Sequence, residues 1–172
     1  MIWFTSDLHI GHTNIIKYCN RPFGSVAEMN TALVSRWNER VVDSDTVYVV
    51  GDVFLGKPAD AAPIVASLRG RKILVRGNHD RSARVMTEMG FEDVCNQMAM
   101  TLADGFNVLL HHEPLPGNRL TEWDALIHGH RHSPPRWDGK SLNVCVDLWD
   151  YTPISEIDVC GIISGSIVVA QD

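Results

Sequence analysis

The chain has 172 residues, 45% of them hydrophobic, enough for a globular fold with a sizeable core and too apolar for a disordered chain. Its formal charge is −6, from 21 acidic and 15 basic residues, which disfavours broad electrostatic binding to nucleic acid or to an anionic membrane. No apolar run approaches the roughly 20 residues that span a bilayer, and the segment from Met1 to Asp7 lacks the basic flank and the length of a signal peptide.

Cys19, Cys95, Cys145 and Cys160 are widely spaced and form no C-x-x-C pair, which argues against a zinc ribbon or a redox motif. They read as reduced core residues of a cytoplasmic protein, with disulfides in a secreted protein as the alternative.

In chain order, residues 2–6 form a β-prone apolar run that leads into Asp7. Thr13 is placed to cap a short helix through Ile15, Ile16 and Tyr18. Ser25 and Glu28 form a capping box, and Val26, Met29, Leu33, Trp37 and Val41 follow at helical spacing. A second strand over Thr46–Val50 ends at Gly51-Asp52. The next helix is expected to start near Asp60, with Pro63 in its first turn and Gly70 closing it. A third strand over Lys72–Arg76 ends at Gly77-Asn78-His79-Asp80. This alternation is that of a parallel α/β sheet.

Residues 82–90 suggest a short helix. Beyond them, Val94–Leu102, Phe106–Leu110, Ala125–His128 and Leu142–Val146 read as strands, and Ile157–Ile163 with Ser166–Ala170 as a hairpin about Ser164-Gly165. A β-rich second half implies a second sheet packed on the first.

Polar groups gather where strands end: Asp7 and His9, then Asp52, Asn78 and His79, His111 and His112, and His128, His130 and His132. In open α/β sheets ligands bind at the carboxyl ends of strands. Asp7-x-His9 and His130-x-His132 share a spacing that, in an extended segment, points both side chains the same way. The donors are oxygen and nitrogen without thiolate, which suits manganese, iron, zinc or cobalt. So large a set of donors is too many for one tetrahedral ion and suits two ions sharing a carboxylate, roughly 3.5–4 Å apart in two-metal sites.

In these blocks the chain resembles a small calcineurin-like metallophosphoesterase. The family pattern D-x-H, G-D, G-N-H-[DE], H and G-H-x-H stands at Asp7/His9, Gly51/Asp52, Gly77–Asp80, His111 or His112, and Gly129–His132. The resemblance implies an α/β fold, a four-layer αββα sandwich of two mixed sheets flanked by helices, formed by residues 1–172 as a single domain. It assigns Asp7, His9 and His132 to one divalent ion and Asp52 as the bridge. Asn78, the loop histidine and His130 go to the second ion. His112, in the H-x-P context of His112-Glu113-Pro114, is preferred over His111. His79 is left as the catalytic group beside the phosphate.

The activity so implied is a dinuclear phosphoesterase, using Mn²⁺ with Fe, Zn, Co or Ni as alternatives. Attack by a metal-bridging hydroxide would cleave a small phosphate-ester substrate. The apparent lack of a cap favours a phosphodiesterase over a phosphomonoesterase. A nuclease is disfavoured by the acidic balance, and a non-catalytic binding module by the completeness of the ligand blocks. No membrane partner is implied, and the oligomeric state is open.

One departure stands out. The family's second block is often G-D-x-x-D, whose second Asp orients the catalytic histidine, but Leu55 occupies that place here. Asp80, adjacent in sequence to His79, is the candidate substitute. Among lesser candidates, His12 is either a phosphate contact or a polar helix-start residue. Arg21 reads as a surface loop arginine and His128 as a buried, satisfied histidine or a supporting donor. Arg69, Arg71 and Lys72 read as a solvated turn, and Trp137 and Trp149 as core.

Overall fold

The computed structural model describes residues 1–170. In chain order the elements are β1 (Ile2–Thr5), α1 (Ile15–Tyr18), α2 (Val26–Arg40), β2 (Thr46–Val49), α3 (Pro58–Ser67), β3 (Arg71–Val75), α4 (Ala83–Glu88) and β4 (Asp93–Cys95). There follow β5 (Met98–Thr101), β6 (Asn107–Leu110), β7 (Ala125–His128), β8 (Ser141–Asn143), β9 (Ile154–Ser155) and α5 (Glu156–Ser164).

The strands form two mixed sheets. The first has the order β4-β3-β2-β1-β9, parallel except for β9, and the second the order β5-β6-β7-β8, parallel except for β5. Strand alternation divides the apolar residues between two cores. Trp3, Val47, Val49 and Leu74 face Met29, Leu33 and Trp37 of α2 and Val65 of α3. Phe4, Val50 and Val75 instead meet Val108, Leu110, Ile127 and Leu142 of the second sheet, and α5 adds Val159, Cys160 and Ile162. A thin cluster of Leu109, Leu120 and Leu126 covers the second sheet's other face. The architecture is thus an α/β fold of two mixed sheets with flanking helices. Among the described residues no helix is long and apolar enough to cross a membrane.

Local chemistry explains most boundaries. Ser25 Oγ accepts from Glu28 N at 3.1 Å, while the Glu28 carboxylate accepts from Gly24 N rather than from the cap residue. Pro58 occupies the first turn of α3, so that helix begins before the expected start and Pro63 lies inside it. Asn14, not Thr13, precedes α1, with no side-chain cap bond.

The expected strand Val94–Leu102 is two strands in different sheets, broken at Asn96-Gln97. The polar pair Asn96-Gln97 interrupts the apolar run there, but a polar pair alone does not say that the chain passes from one sheet to the other. The expected strand at Leu142–Val146 stops at Asn143. The largest error is Ile157–Ile163, which is helical: Ser155 Oγ accepts from Asp158 N at 3.1 Å and starts α5. A short, β-branched apolar run is ambiguous by pattern alone, and here the cap and burial on the inter-sheet core decide it. Ser166–Ala170 is not a strand either. Ile167 folds back on Gly161, donating its N–H to the Gly161 carbonyl at 2.9 Å.

Leu33 is buried between α2 and the first sheet, 1% exposed. Leu33→Ala should lower stability by about 2–5 kcal/mol, measured as a lowered urea midpoint at unchanged slope.

Candidate metal centre

Asp7 and His9 lie just beyond β1, Asp52 beyond β2, Asn78 and His79 beyond β3, His112 beyond β6, and His130 and His132 beyond β7. The two central exit loops are laced together by backbone bonds: Asp7 N to Gly51 O at 2.9 Å, His9 N to Asp52 O at 3.0 Å and Ile10 N to Val53 O at 3.0 Å. The donors are not presented by extended chain, contrary to the spacing argument. Asp7, His9, Asp52 and His130 all have positive φ, between 52° and 68°. Left-handed backbone in non-glycine residues costs energy and persists where its surroundings over-determine it.

The motif glycines admit the close approach. A Cβ on Gly77 would strike the Asp52 carboxylate, one on Gly51 the His112 ring, and one on Gly129 the Ser6 and Asp7 side chains.

Two overlapping donor groups result. In the first, His9 Nε2 stands 3.9 Å from Asp7 Oδ1 and 3.6 Å from Asp52 Oδ2, and His132 Nε2 stands 3.7 Å from Asp7 Oδ1. In the second, His112 Nε2 is 3.5 Å from Asp52 Oδ2 and 3.1 Å from Asn78 Oδ1, which is itself 3.2 Å from His130 Nδ1. Asp52 belongs to both. Several of these separations are long for hydrogen bonds and close to the spacing of two ligands on one ion, given ligand bonds of about 2.1 Å. His9 Nε2 is buried with no hydrogen-bond partner. An orphaned imidazole nitrogen facing two carboxylates fits a cation, so the residues present suit divalent metal. His111 turns away and bonds the Glu113 carbonyl through Nδ1 at 2.7 Å.

A second layer supports this one. His132 Nδ1 is 2.7 Å from Asp147 Oδ2, and Arg21 holds both Asp147 oxygens at 2.8 Å. The same guanidinium donates to the Asp7 and Leu8 carbonyls at 2.7 and 3.0 Å. Arg21 is therefore a buried brace, not a surface residue, and Asp147 escaped notice because nothing around it forms a motif. The R-P-F loop lies far from Asp147 in sequence, so only folding pairs them.

Asp80 does not orient His79. Its carboxylate accepts from Gly77 N, Asp52 N and Val53 N at 2.8–2.9 Å, tying the β2 and β3 exit loops together. His79 is anchored through its backbone, whose N–H donates to Asp52 Oδ1 at 3.0 Å. Its ring is 43% exposed, with Nε2 at 3.9 Å from Asp52 Oδ2.

The lesser candidates divide. His12 packs beside His9, their Nδ1 atoms 3.5 Å apart. His128 is buried against the Gly129 carbonyl at 2.7 Å from Nδ1, and Trp137 and Trp149 pack on the inter-sheet core. Lys72 is buried, donating to Leu68 O at 2.8 Å, so the expected solvated turn keeps only Arg69 and Arg71 at the surface.

The electrostatics follow from burial. Burial pushes the Asp7 carboxyl up and the His9 imidazole down to about 3. Burial also works against charge on Asp52, but hydrogen bonding and charge from His112 hold it at about 2. It opposes His132 as well, yet the Asp147 hydrogen bond raises that imidazole to about 10. Asp147, likewise buried, is held at about 2 by His132 and Arg21.

The family model for the calcineurin-like phosphoesterase superfamily domain matches residues 1–146. The chain belongs to that superfamily, whose members imply divalent metal ions at such a site. Its relatives include an uncharacterized protein of Methanocaldococcus jannaschii, 36% identical over 90% of this chain and 86% of that protein. The Gene 66 protein of Mycobacterium phage L5 is 33% identical over 86% of each chain. Among solved structures, a protein of unknown function from Aquifex aeolicus superposes with a TM-score of 0.78 at 26% identity, covering 94% of this chain and 98% of that one.

Two outcomes test this layout. Asp80→Ala leaves three backbone N–H groups without their acceptor and should cost a few kcal/mol, on the order of 1–3 per buried group. Thermal melting should show the loss, with weakened metal affinity beside it. The second outcome concerns pH. His132, raised to about 10, favours the metal-free fold fully below its ordinary value of 6.5, and that contribution is lost as pH rises through about 10. Asp147, depressed to about 2, contributes above its ordinary value of 3.8 and ceases as pH falls through about 2. In chelator, the melting temperature should therefore fall between pH 6.5 and 10. Saturating divalent metal, which displaces the imidazole protons, should flatten that slope.

Proposed function

We propose that this protein is a dinuclear metal-dependent phosphoesterase that acts as a phosphodiesterase on small substrates, using Mn²⁺ in the cytoplasm. The observation that carries the reading is the shared Asp52 carboxylate, with Oδ2 3.6 Å from His9 Nε2 and 3.5 Å from His112 Nε2. Asp7, His9 and His132 would hold one ion, and Asn78, His112 and His130 the other, with Asp52 between them. Bound divalent ions supply Lewis-acid charge for the phosphoryl oxygens and make water a stronger nucleophile.

The chain's own contribution is asymmetric. The Asp7 and His9 side is sealed, at 0% and 2% exposure. Asn78, His79 and His130 are exposed and form the approach side. His79 is the group placed to meet an incoming phosphate. Its ring is free to hydrogen-bond a phosphoryl oxygen and to pass a proton to the departing oxygen, while the bond from its N–H to Asp52 keeps it over the centre. Leu55 supplies no carboxylate to this ring, so His79 acts from an aqueous setting. The open approach accommodates a second ester arm, which favours diesters, and the free thiols of all four cysteines agree with a reducing compartment.

Metal-stripped protein reloaded separately with manganese, zinc or magnesium should hydrolyse bis(p-nitrophenyl) phosphate faster than p-nitrophenyl phosphate, with manganese most active. No turnover of either ester with any metal would overturn the proposal. Asp52→Asn should lose one or both ions. His79→Ala should keep its metal content while the rate falls by about 10²–10⁴-fold.

A further inference from the structure

A recess of about 260 Å³ opens beside the exposed edge of the centre, lined by Arg76, Asn78, Asn96, His111, His112 and Glu113. Two of these, Asn78 and His112, are metal-ligand candidates. Whatever occupies the recess therefore lies next to a phosphate held at the centre.

Arg76 is held at all three of its guanidinium nitrogens. Its Nε and Nη2 both donate to Asn96 Oδ1, at 3.1 and 2.7 Å, and its Nη1 to the Arg81 carbonyl at 3.3 Å. All of these acceptors are neutral. Among the described residues, the arginines with carboxylate partners are Arg21, Arg71 and Arg84. The Arg76 charge is thus fixed in direction and not neutralised. With Oδ1 of Asn96 taken up by the guanidinium, the amide's Nδ2 is left as a donor. His111 donates its Nδ1–H to the Glu113 carbonyl at 2.7 Å, which leaves Nε2 of the neutral ring as an acceptor, so His111 shapes the wall and is not counted among the anion donors. A preorganised cation flanked by an amide donor is the chemistry of an oxyanion subsite. Glu113 is the one acidic residue on its wall, and it is exposed.

We propose that this recess binds a second anionic group, a phosphate or carboxylate carried on one arm of the substrate ester, with Arg76 as its principal contact. The proposal rests on the phosphoesterase reading of the adjoining centre and narrows the substrate class to esters with an anion beyond the scissile phosphate. The planar fork on Asn96 spares Arg76 the side-chain entropy that a free surface arginine would lose on binding.

The test uses manganese-loaded protein and two thymidine nucleotides, so that binding is read apart from turnover. Calorimetry should find thymidine 3′,5′-bisphosphate bound about tenfold or more tightly than thymidine 5′-monophosphate, as expected for charge-assisted hydrogen bonds. Arg76→Gln should bring that ratio towards one. Glu113→Gln, which removes the opposing charge at an exposed position, should raise it. A loop merely disturbed by mutation would not yield opposite signs. Equal affinities in the unmodified protein, or a ratio unmoved by both variants, would overturn the subsite. The matching substrates, thymidine 5′-(p-nitrophenyl phosphate) with and without a 3′-phosphate, report on the centre. If neither is hydrolysed, the phosphoesterase reading fails, while the calorimetric ratio still decides the subsite.

Discussion

The centre depends on the lacing of the β1 and β2 exit loops and on the Asp80 carboxylate that pins them to the β3 loop. Parallel pairing normally ends with the strands, but here backbone bonds continue from Asp7 to Val53. Asp80 then takes the N–H groups of Gly77, Asp52 and Val53. This geometry forces Asp7, His9 and Asp52 into left-handed backbone and turns their side chains onto one point. Without the pinning, three buried acidic and imidazole groups would have every electrostatic reason to separate or reach water.

Behind that point, charge is handled by pairing rather than by exposure. Arg21 joins Asp147 to the carbonyls of Asp7 and Leu8, and Asp147 holds His132. One buried guanidinium therefore braces the first loop and the last imidazole together. A metal-bound histidine whose other nitrogen meets a carboxylate is a more basic and better oriented ligand. On the front side the pattern reverses. His79 and Asn78 are open to solvent, and Arg76 carries a charge met only by neutral acceptors. The molecule thus seals the Asp7, His9 and Asp52 side of the donor cluster and leaves unspent hydrogen-bonding capacity on the side a phosphate ester would meet.

The division of labour within Gly77-Asn78-His79-Asp80 shows what neighbouring residues can do when chain direction changes at each step. Gly77 gives Asp52 room, Asn78 faces His112 and His130, and His79 faces outward. Asp80 faces back into the loops. The carboxylate missing at Leu55 has no replacement at the His79 ring, because Asp80 is fully committed to backbone donors.

By itself the sequence determined the strand–helix alternation of the first half, the presence of a second sheet, and the donor blocks that converge. Those features are local: periodicity, caps and short motifs carry them. It misled where local pattern was ambiguous. The run from Ile157 to Ile163 satisfies both strand and helix, and the polar pair Asn96-Gln97 does not by itself tell that the chain changes sheets there. Only the tertiary structure decided which donors are braced and how. The Arg21–Asp147 pair spans 126 residues, and the Asp80 clamp reaches 27 and 28 residues back. The left-handed turns at Asp7, His9 and Asp52 exist because pairing across two loops holds them. Such contacts arise from distant segments meeting in space, and no spacing along the chain encodes them.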